Sequence, residues 1–126
     1  MDRGIYHVTK LSLLGKILEQ GIVPKCGPDA FATGQEGDCI NAYTSRVAVR
    51  DALMPKGDYM VTHRDASLDE LCVLSIVSDN ICHQLVQAHC SQMCELRRVI
   101  KPTEFIVLDT HLKPISSMEL ATLAAG

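Results

Sequence analysis

The sequence predicts an α+β domain, and three stretches carry that expectation. Residues 4–21, GIYHVTKLSLLGKILEQG, change at Lys10 from a period of two to a period near 3.6, as a short strand does when it runs into an amphipathic helix. Glu70 to Ser78, ELCVLSIVS, is the most apolar run and reads as a central strand. Cys94 to Ile100 and Glu104 to Leu108 are strand-like pieces separated by Lys101, Pro102 and Thr103, a spacer of hairpin length.

With 126 residues and 47% apolar composition, the chain reads as one domain, residues 1–126, able to build a core without disulfides or metal. A net charge of -3 gives no overall basic field of the kind that marks a nucleic-acid binder. No apolar run approaches the roughly 20 residues of a membrane span, and MDRGIYHV lacks the apolar core of a signal peptide. A cytoplasmic chain, or one delivered into a target cell, is therefore expected, without a membrane partner.

Six cysteines (26, 39, 72, 82, 90, 94) contain no Cys-x-x-Cys spacing and read as reduced, mostly buried small side chains. Within CHQLVQAHCSQMC, Cys82, His83, His89, Cys90 and Cys94 are conceivable zinc ligands. An amphipathic helix from Asp79 to Cys90, through Ile81, Cys82, Leu85 and Val86, explains the stretch better, so no metal is expected.

Taken in order, Ile5, His7 and Thr9 fall on one side of the first strand and Tyr6 and Val8 on the other. The following helix turns Leu11, Leu14, Ile17 and Leu18 inward; Thr9 is a candidate cap at its start and Gly21 at its end. Gly21 to Cys39 is rich in Gly and Pro and reads as a long loop with a short strand at Ile22 and Val23. Its segment Gly27 to Asp38 is expected to be mobile and to lie over a binding cleft. Ile40 to Ser45 is extended, with Asn41, Tyr43 and Ser45 on one face. Thr44 or Ser45 then caps a helix reaching Met54, with Ala48, Val49, Ala52 and Leu53 inward. Tyr59, Met60 and Val61 are compatible with a strand, and Ser116 or Ser117 starts a final helix to Ala125.

Several of these residues bear chemistry. His7 and Thr9 place an imidazole and a hydroxyl two residues apart on one face, both able to hydrogen-bond a ligand. Tyr43 offers a ring for stacking, with Ser45 beside it. Glu95 and Glu104 are carboxylates on the last two strand-like pieces. Glu95 can pair with Arg97 or Arg98 as an ordinary surface residue or act on a developing cation, and Glu104 is the second choice for that carboxylate. Arg46 and Arg50, four apart on one helix face, suit either a pyrophosphate or solvent.

The order of these pieces resembles the ADP-ribosyltransferase superfamily, especially the small His, Tyr, Glu branch that includes diphtheria toxin and the poly-ADP-ribose polymerases. DNA-modifying toxins of the DarT kind share the look of the opening. The resemblance spans roughly residues 4–109 and is specific at three places: His7-Val8-Thr9 before the helix that ends at Gly21, Tyr43-Thr44-Ser45 before the next helix, and Glu95-Leu96-Arg97-Arg98 with Thr103 to Leu108 as a hairpin partner. It departs from the pattern at Val8, where many members have Gly, and at Met93, where members that modify arginine carry Glu or Gln.

The resemblance implies a split β-sheet core with flanking helices, two small and mostly antiparallel sheets packed across a cleft. It implies an NAD-dependent mono-ADP-ribosyltransferase of toxin or effector type, with no metal and with a protein more expected than nucleic acid as acceptor. Glu95, His7 and Tyr43 would form the catalytic set, converging from three strands, and His7, Val8, Thr9, Tyr43, Ser45 and Arg46 would hold NAD. The alternatives that stay open are a tRNA 2′-phosphotransferase-like enzyme, an NAD-hydrolysing enzyme, and a non-catalytic member that binds a nucleotide or a partner.

Overall fold

A computed structural model describes residues 4–23, 40–55, 57, 59–60, 67–77, 86–87, 93–96 and 98–125. Its regular elements run β1 (Ile5–Lys10), α1 (Leu14–Gln20), β2 (Ile40–Tyr43), α2 (Arg46–Ala52), β3 (Leu71–Ile76), β4 (Val86–Gln87), β5 (Met93–Leu96), β6 (Phe105–Leu108) and α3 (Ser117–Ala125). Among the described residues the strands form one six-stranded sheet, order β4-β5-β2-β1-β3-β6, with every neighbouring pair antiparallel. Mixed helix and antiparallel sheet is the α+β class that the sequence predicts.

Two separate sheets were expected, and the strands instead belong to one sheet with a weak seam. All six residues of β1 are registered against β3, from Ile5 opposite Ile76 to Lys10 opposite Leu71. All four residues of β2 are registered against β5. Between β1 and β2, Tyr6 opposite Tyr43 is the one registered pair among the described residues. The halves β4-β5-β2 and β1-β3-β6 therefore share a single registered pair among the described residues.

Alternation along the strands builds a core on each face. On the first face Ile5, Ile40, Ala42, Cys72, Leu74, Cys94, Leu96 and Val107 pack together, with Leu14 of α1 inside and Leu11, Ile17, Leu18, Leu120 and Leu123 partly buried against them. On the second, Tyr6, Val8, Tyr43, Tyr59, Leu71, Val73 and Leu108 pack with Ala48, Val49 and Ala52 of α2. Both cores draw on both halves of the sheet, so apolar packing spans the seam where backbone pairing does not.

Local chemistry sets the helix ends. Gly21 ends α1 with φ 84°, a conformation open to glycine, and its N–H donates to the Ile17 carbonyl at 2.7 Å. Ser45 Oγ accepts from the Ala48 N–H at 3.1 Å and so caps α2. Ser116 Oγ accepts from the Glu119 N–H at 3.2 Å ahead of α3. Thr9 does not cap α1: the strand runs on to Lys10, a 3-10 turn at Leu11–Leu13 follows, and neither helix start has a side-chain cap.

Three further expectations are corrected. Tyr59 and Met60 are helical, because the apolar ring is drawn into the second core rather than into a sheet. Val86 lies in β4 opposite Glu95 and not on a helix, since β5 offers a free edge for it to pair with. Finally, β5 and β6 form no hairpin and stand four strands apart in the order. The linking segment carries the chain across: Ile100 bridges Ile22, and Pro102 opens a 3-10 turn that delivers Phe105 to β3.

Candidate functional site

The seam defines the candidate site. Past Tyr6, β1 from His7 to Lys10 is registered against β3 alone, and β2 from Ile40 to Ala42 against β5 alone. Among the described residues, the C-terminal half of β1 and the N-terminal half of β2 are thus not in register with each other. Backbone groups along such a seam are ready to bind amide or hydroxyl groups of a ligand.

His7 and Thr9 stand along this seam on the first face, opposite Leu74 and Cys72 of β3. The imidazole is half-buried, which leaves part of the ring accessible. Thr9 is only 6% exposed, and its hydroxyl makes no hydrogen bond to any described residue. A buried hydroxyl without a partner costs on the order of 1–3 kcal/mol, and native structures rarely tolerate one without a reason. Val8 turns the other way into the second core, so only its backbone is available to a ligand.

The second motif is placed differently from what the resemblance implies. Tyr43 is 4% exposed and packs in the second core, opposite Tyr6 and against the residues of α2. The register puts it on the sheet face opposite His7. A ring buried among apolar side chains in this way is a packing element, and a stacking surface for nicotinamide is not what its surroundings provide. Ser45 Oγ is engaged as the cap of α2, accepting from the Ala48 N–H with its own hydroxyl proton left to donate. Arg46 donates from Nη2 to the Leu112 carbonyl at 3.3 Å, tying α2 to the turn after β6, while Arg50 sits exposed in the last turn of the same helix.

The third motif supplies two carboxylates in unlike settings. Residue 95 lies at the centre of the β4-β5-β2 half, opposite Asn41 on one side and Val86 on the other, between the buried Cys94 and Leu96. Position 95 alternates with Cys94 and Leu96 of the first core, so the register puts it, with Asn41, on the face of Tyr43, opposite that of His7 and Thr9. Glu104 is fully engaged. Its Oε1 accepts from Arg98 Nη1 at 3.0 Å and from the Lys101 N–H at 3.0 Å, and its Oε2 accepts from Arg98 Nη2 at 2.6 Å. That hydrogen bonding raises the Arg98 guanidinium further above its ordinary range. A carboxylate saturated by a fork and an amide is a structural clasp, which excludes Glu104 as the working base.

The thiols behave as packing groups where they are described. Cys72 is fully buried opposite Thr9, and burial pushes its thiol up to about 12. Cys94 is buried in the first core. Cys82, His83, His89, Cys90 and the loop Gly27 to Asp38 lie outside the described residues.

Two features were missed in the sequence. Arg98 pairs with Glu104 six residues on, a spacing with no meaning in either a strand or a helix. Leu112 adopts φ 64° in a turn whose Asp109 Oδ1 accepts from the N–H groups of His111 and Lys113 at 2.8 and 3.0 Å. An Asp two residues before His111 is the signal that marks such a turn. No protein-family model, curated protein or solved structure matches this chain.

Proposed function

We propose that the chain is an NAD-dependent ADP-ribosyltransferase, of toxin or effector type, that binds NAD at the seam between β1 and β2 and transfers ADP-ribose to a macromolecular acceptor, a protein in preference to nucleic acid. The observation that carries this reading is Thr9, a buried hydroxyl without a partner among the described residues, two positions from the half-buried His7 on the same face of β1. A ligand presenting a ribose diol satisfies the Thr9 hydroxyl. A sheet whose two central strands share one registered pair among the described residues also supports the split-sheet reading of the fold.

NAD supplies a ribose whose bond to nicotinamide leaves readily. The chain's own residues hold and polarise it. Thr9 and His7 bind ribose hydroxyls from β1, and the Val8 backbone on the inner edge of β1 fits the carboxamide. Glu95 is the carboxylate left for chemistry once Glu104 is committed to Arg98. It stabilises positive charge that builds on the ribose and takes the proton of the incoming nucleophile. Arg46 and Arg50 are the cations of α2 for the pyrophosphate, Arg46 while keeping its bond to Leu112. Tyr43 is assigned to the core, and Ser45 to the helix cap.

Burial of Tyr43 favours a second reading, a non-catalytic member of the fold that binds a nucleotide without cleaving it. Titrating NAD against the full chain while assaying nicotinamide release separates the two. Binding with release supports the transferase, binding without release in the presence of candidate acceptors supports the second reading, and absence of binding overturns both.

A further inference from the structure

We propose that His111 and Lys113 complete the pyrophosphate subsite that Arg46 and Arg50 begin; this rests on the reading of those two arginines above. The turn after β6 is tied to α2. Arg46 Nη2 donates to the Leu112 carbonyl at 3.3 Å, and the Leu112 side chain is buried in the second core with Ala48, Val49 and Ala52 of that helix. His111 and Lys113, the residues on either side of Leu112, therefore stand beside the start of α2, and both are exposed. Arg50 is exposed as well, four residues beyond Arg46 and so on the same side of the helix. The side chains of Arg50, His111 and Lys113 make no hydrogen bond or ion pair with any described residue.

The turn is held by its own backbone. The Asp109 N–H donates to the Lys113 carbonyl at 2.9 Å, the Leu112 N–H donates to the Asp109 carbonyl at 3.0 Å, and Asp109 Oδ1 accepts from the N–H groups of His111 and Lys113. Leu112 has φ 64°, a left-handed conformation that a bulky residue adopts only where its surroundings impose it. Asp109 Oδ1 is thus committed to amides inside the turn, while Asp51, next to Arg50 in sequence, is exposed. Cations gathered without internal partners repel one another and add nothing to the fold, and a bound anion reverses that. A pyrophosphate offers oxygens on two phosphates: a guanidinium fork takes two of them, an ammonium meets the charge of the other phosphate, and an imidazole N–H donates to either. Donors spread over a helix and a turn match those several oxygens better than the two of a single carboxylate.

Calorimetric titrations of the full chain with inorganic pyrophosphate and with NAD compare wild type with Lys113→Ala, Lys113→Arg, His111→Ala and a control, Lys16→Ala, on α1 at the opposite face of the sheet. The substituted side chains are exposed, and their removal leaves the backbone bonds of the turn in place. The subsite predicts that Lys113→Ala and His111→Ala each weaken both ligands by about three- to ten-fold, that Lys113→Arg keeps most of the affinity, and that Lys16→Ala changes neither. Unchanged pyrophosphate affinity in either alanine variant at positions 111 and 113 overturns the proposal, and so does an equal loss in Lys16→Ala, the mark of a general charge effect. A wild type that binds NAD with no loss in these variants overturns this inference alone. Pyrophosphate binding that depends on Lys113 and His111 without any binding of NAD overturns the functional reading and leaves the anion subsite standing, whereas a wild type that binds neither ligand overturns both.

Discussion

Tyr6 and Tyr43 stand opposite each other at the one registered pair that joins β1 to β2 among the described residues, and both rings are buried in the same core. Backbone pairing across the seam is minimal, so side-chain packing on the two faces carries the cohesion of the sheet there. The tyrosines are the largest of those side chains on the second face.

Tyr43→Ala is therefore expected to lower stability by about 3–5 kcal/mol, the range for removing a buried aromatic ring, as measured by urea unfolding. A loss under about 1 kcal/mol, combined with weakened NAD binding, would instead restore Tyr43 to the ligand surface.

Thr9→Val separates binding from folding by sign. The hydroxyl has no described partner in the ligand-free protein, so its replacement by a methyl group should leave the melting temperature unchanged or raise it. NAD affinity should fall by about 1 kcal/mol, the usual worth of one hydrogen bond, read by calorimetric titration. Lowered stability with unchanged affinity would show that the hydroxyl works inside the fold.

Glu95→Gln keeps size and one acceptor but loses the charge. Nicotinamide release should fall by about 10²–10³-fold while the dissociation constant for NAD stays within a few-fold, because the lost interaction belongs to the transition state. Full turnover in this variant removes Glu95 from the mechanism.

Gly21→Ala tests the end of α1. The added Cβ runs into the Ile100 carbonyl, at a backbone φ of 84° that alanine adopts only under strain. A loss of about 1–3 kcal/mol is expected in equilibrium unfolding, with slackening of the Ile22–Ile100 bridge visible as faster amide exchange at both residues.

Cys72 sets a pH limit on stability. Its thiol ionises near 9.0 when unfolded but at about 12 when buried, so between these values the unfolded chain has already released a proton that the folded chain retains. The contribution is complete below pH 9 and is lost as pH rises toward 12. Unfolding midpoints should fall over that window, and the fall should be smaller in Cys72→Ala measured against its own baseline.

Much of this fold is legible in the residues themselves. Alternation in IYHVT separates Ile5, His7 and Thr9 from Tyr6 and Val8, and the structure keeps that separation, because a period of two is dictated by strand geometry whatever the partner. The same holds for the inward stripes of α1 and α2 and for the Ser45 cap, which depend on contacts within a few residues. Pairing between strands is another matter. The short spacer between β5 and β6 suggests a hairpin, yet the bridge of Ile100 to Ile22 and the clasp of Arg98 on Glu104 send the two strands to different halves of the sheet.

The candidate site divides along the same line. By itself the sequence determined which residues bear chemistry and how they alternate on their own strands: His7 with Thr9, Tyr43 before a capped helix, and two carboxylates late in the chain. Tertiary structure alone decided which of them are free to use it. It buried Tyr43 opposite Tyr6, spent Glu104 on Arg98, and left the Thr9 hydroxyl without a described partner beside the seam between β1 and β2. The reason is physical. Alternation and capping follow from local backbone geometry, whereas burial and hydrogen-bond satisfaction depend on groups that meet only when distant segments pack together.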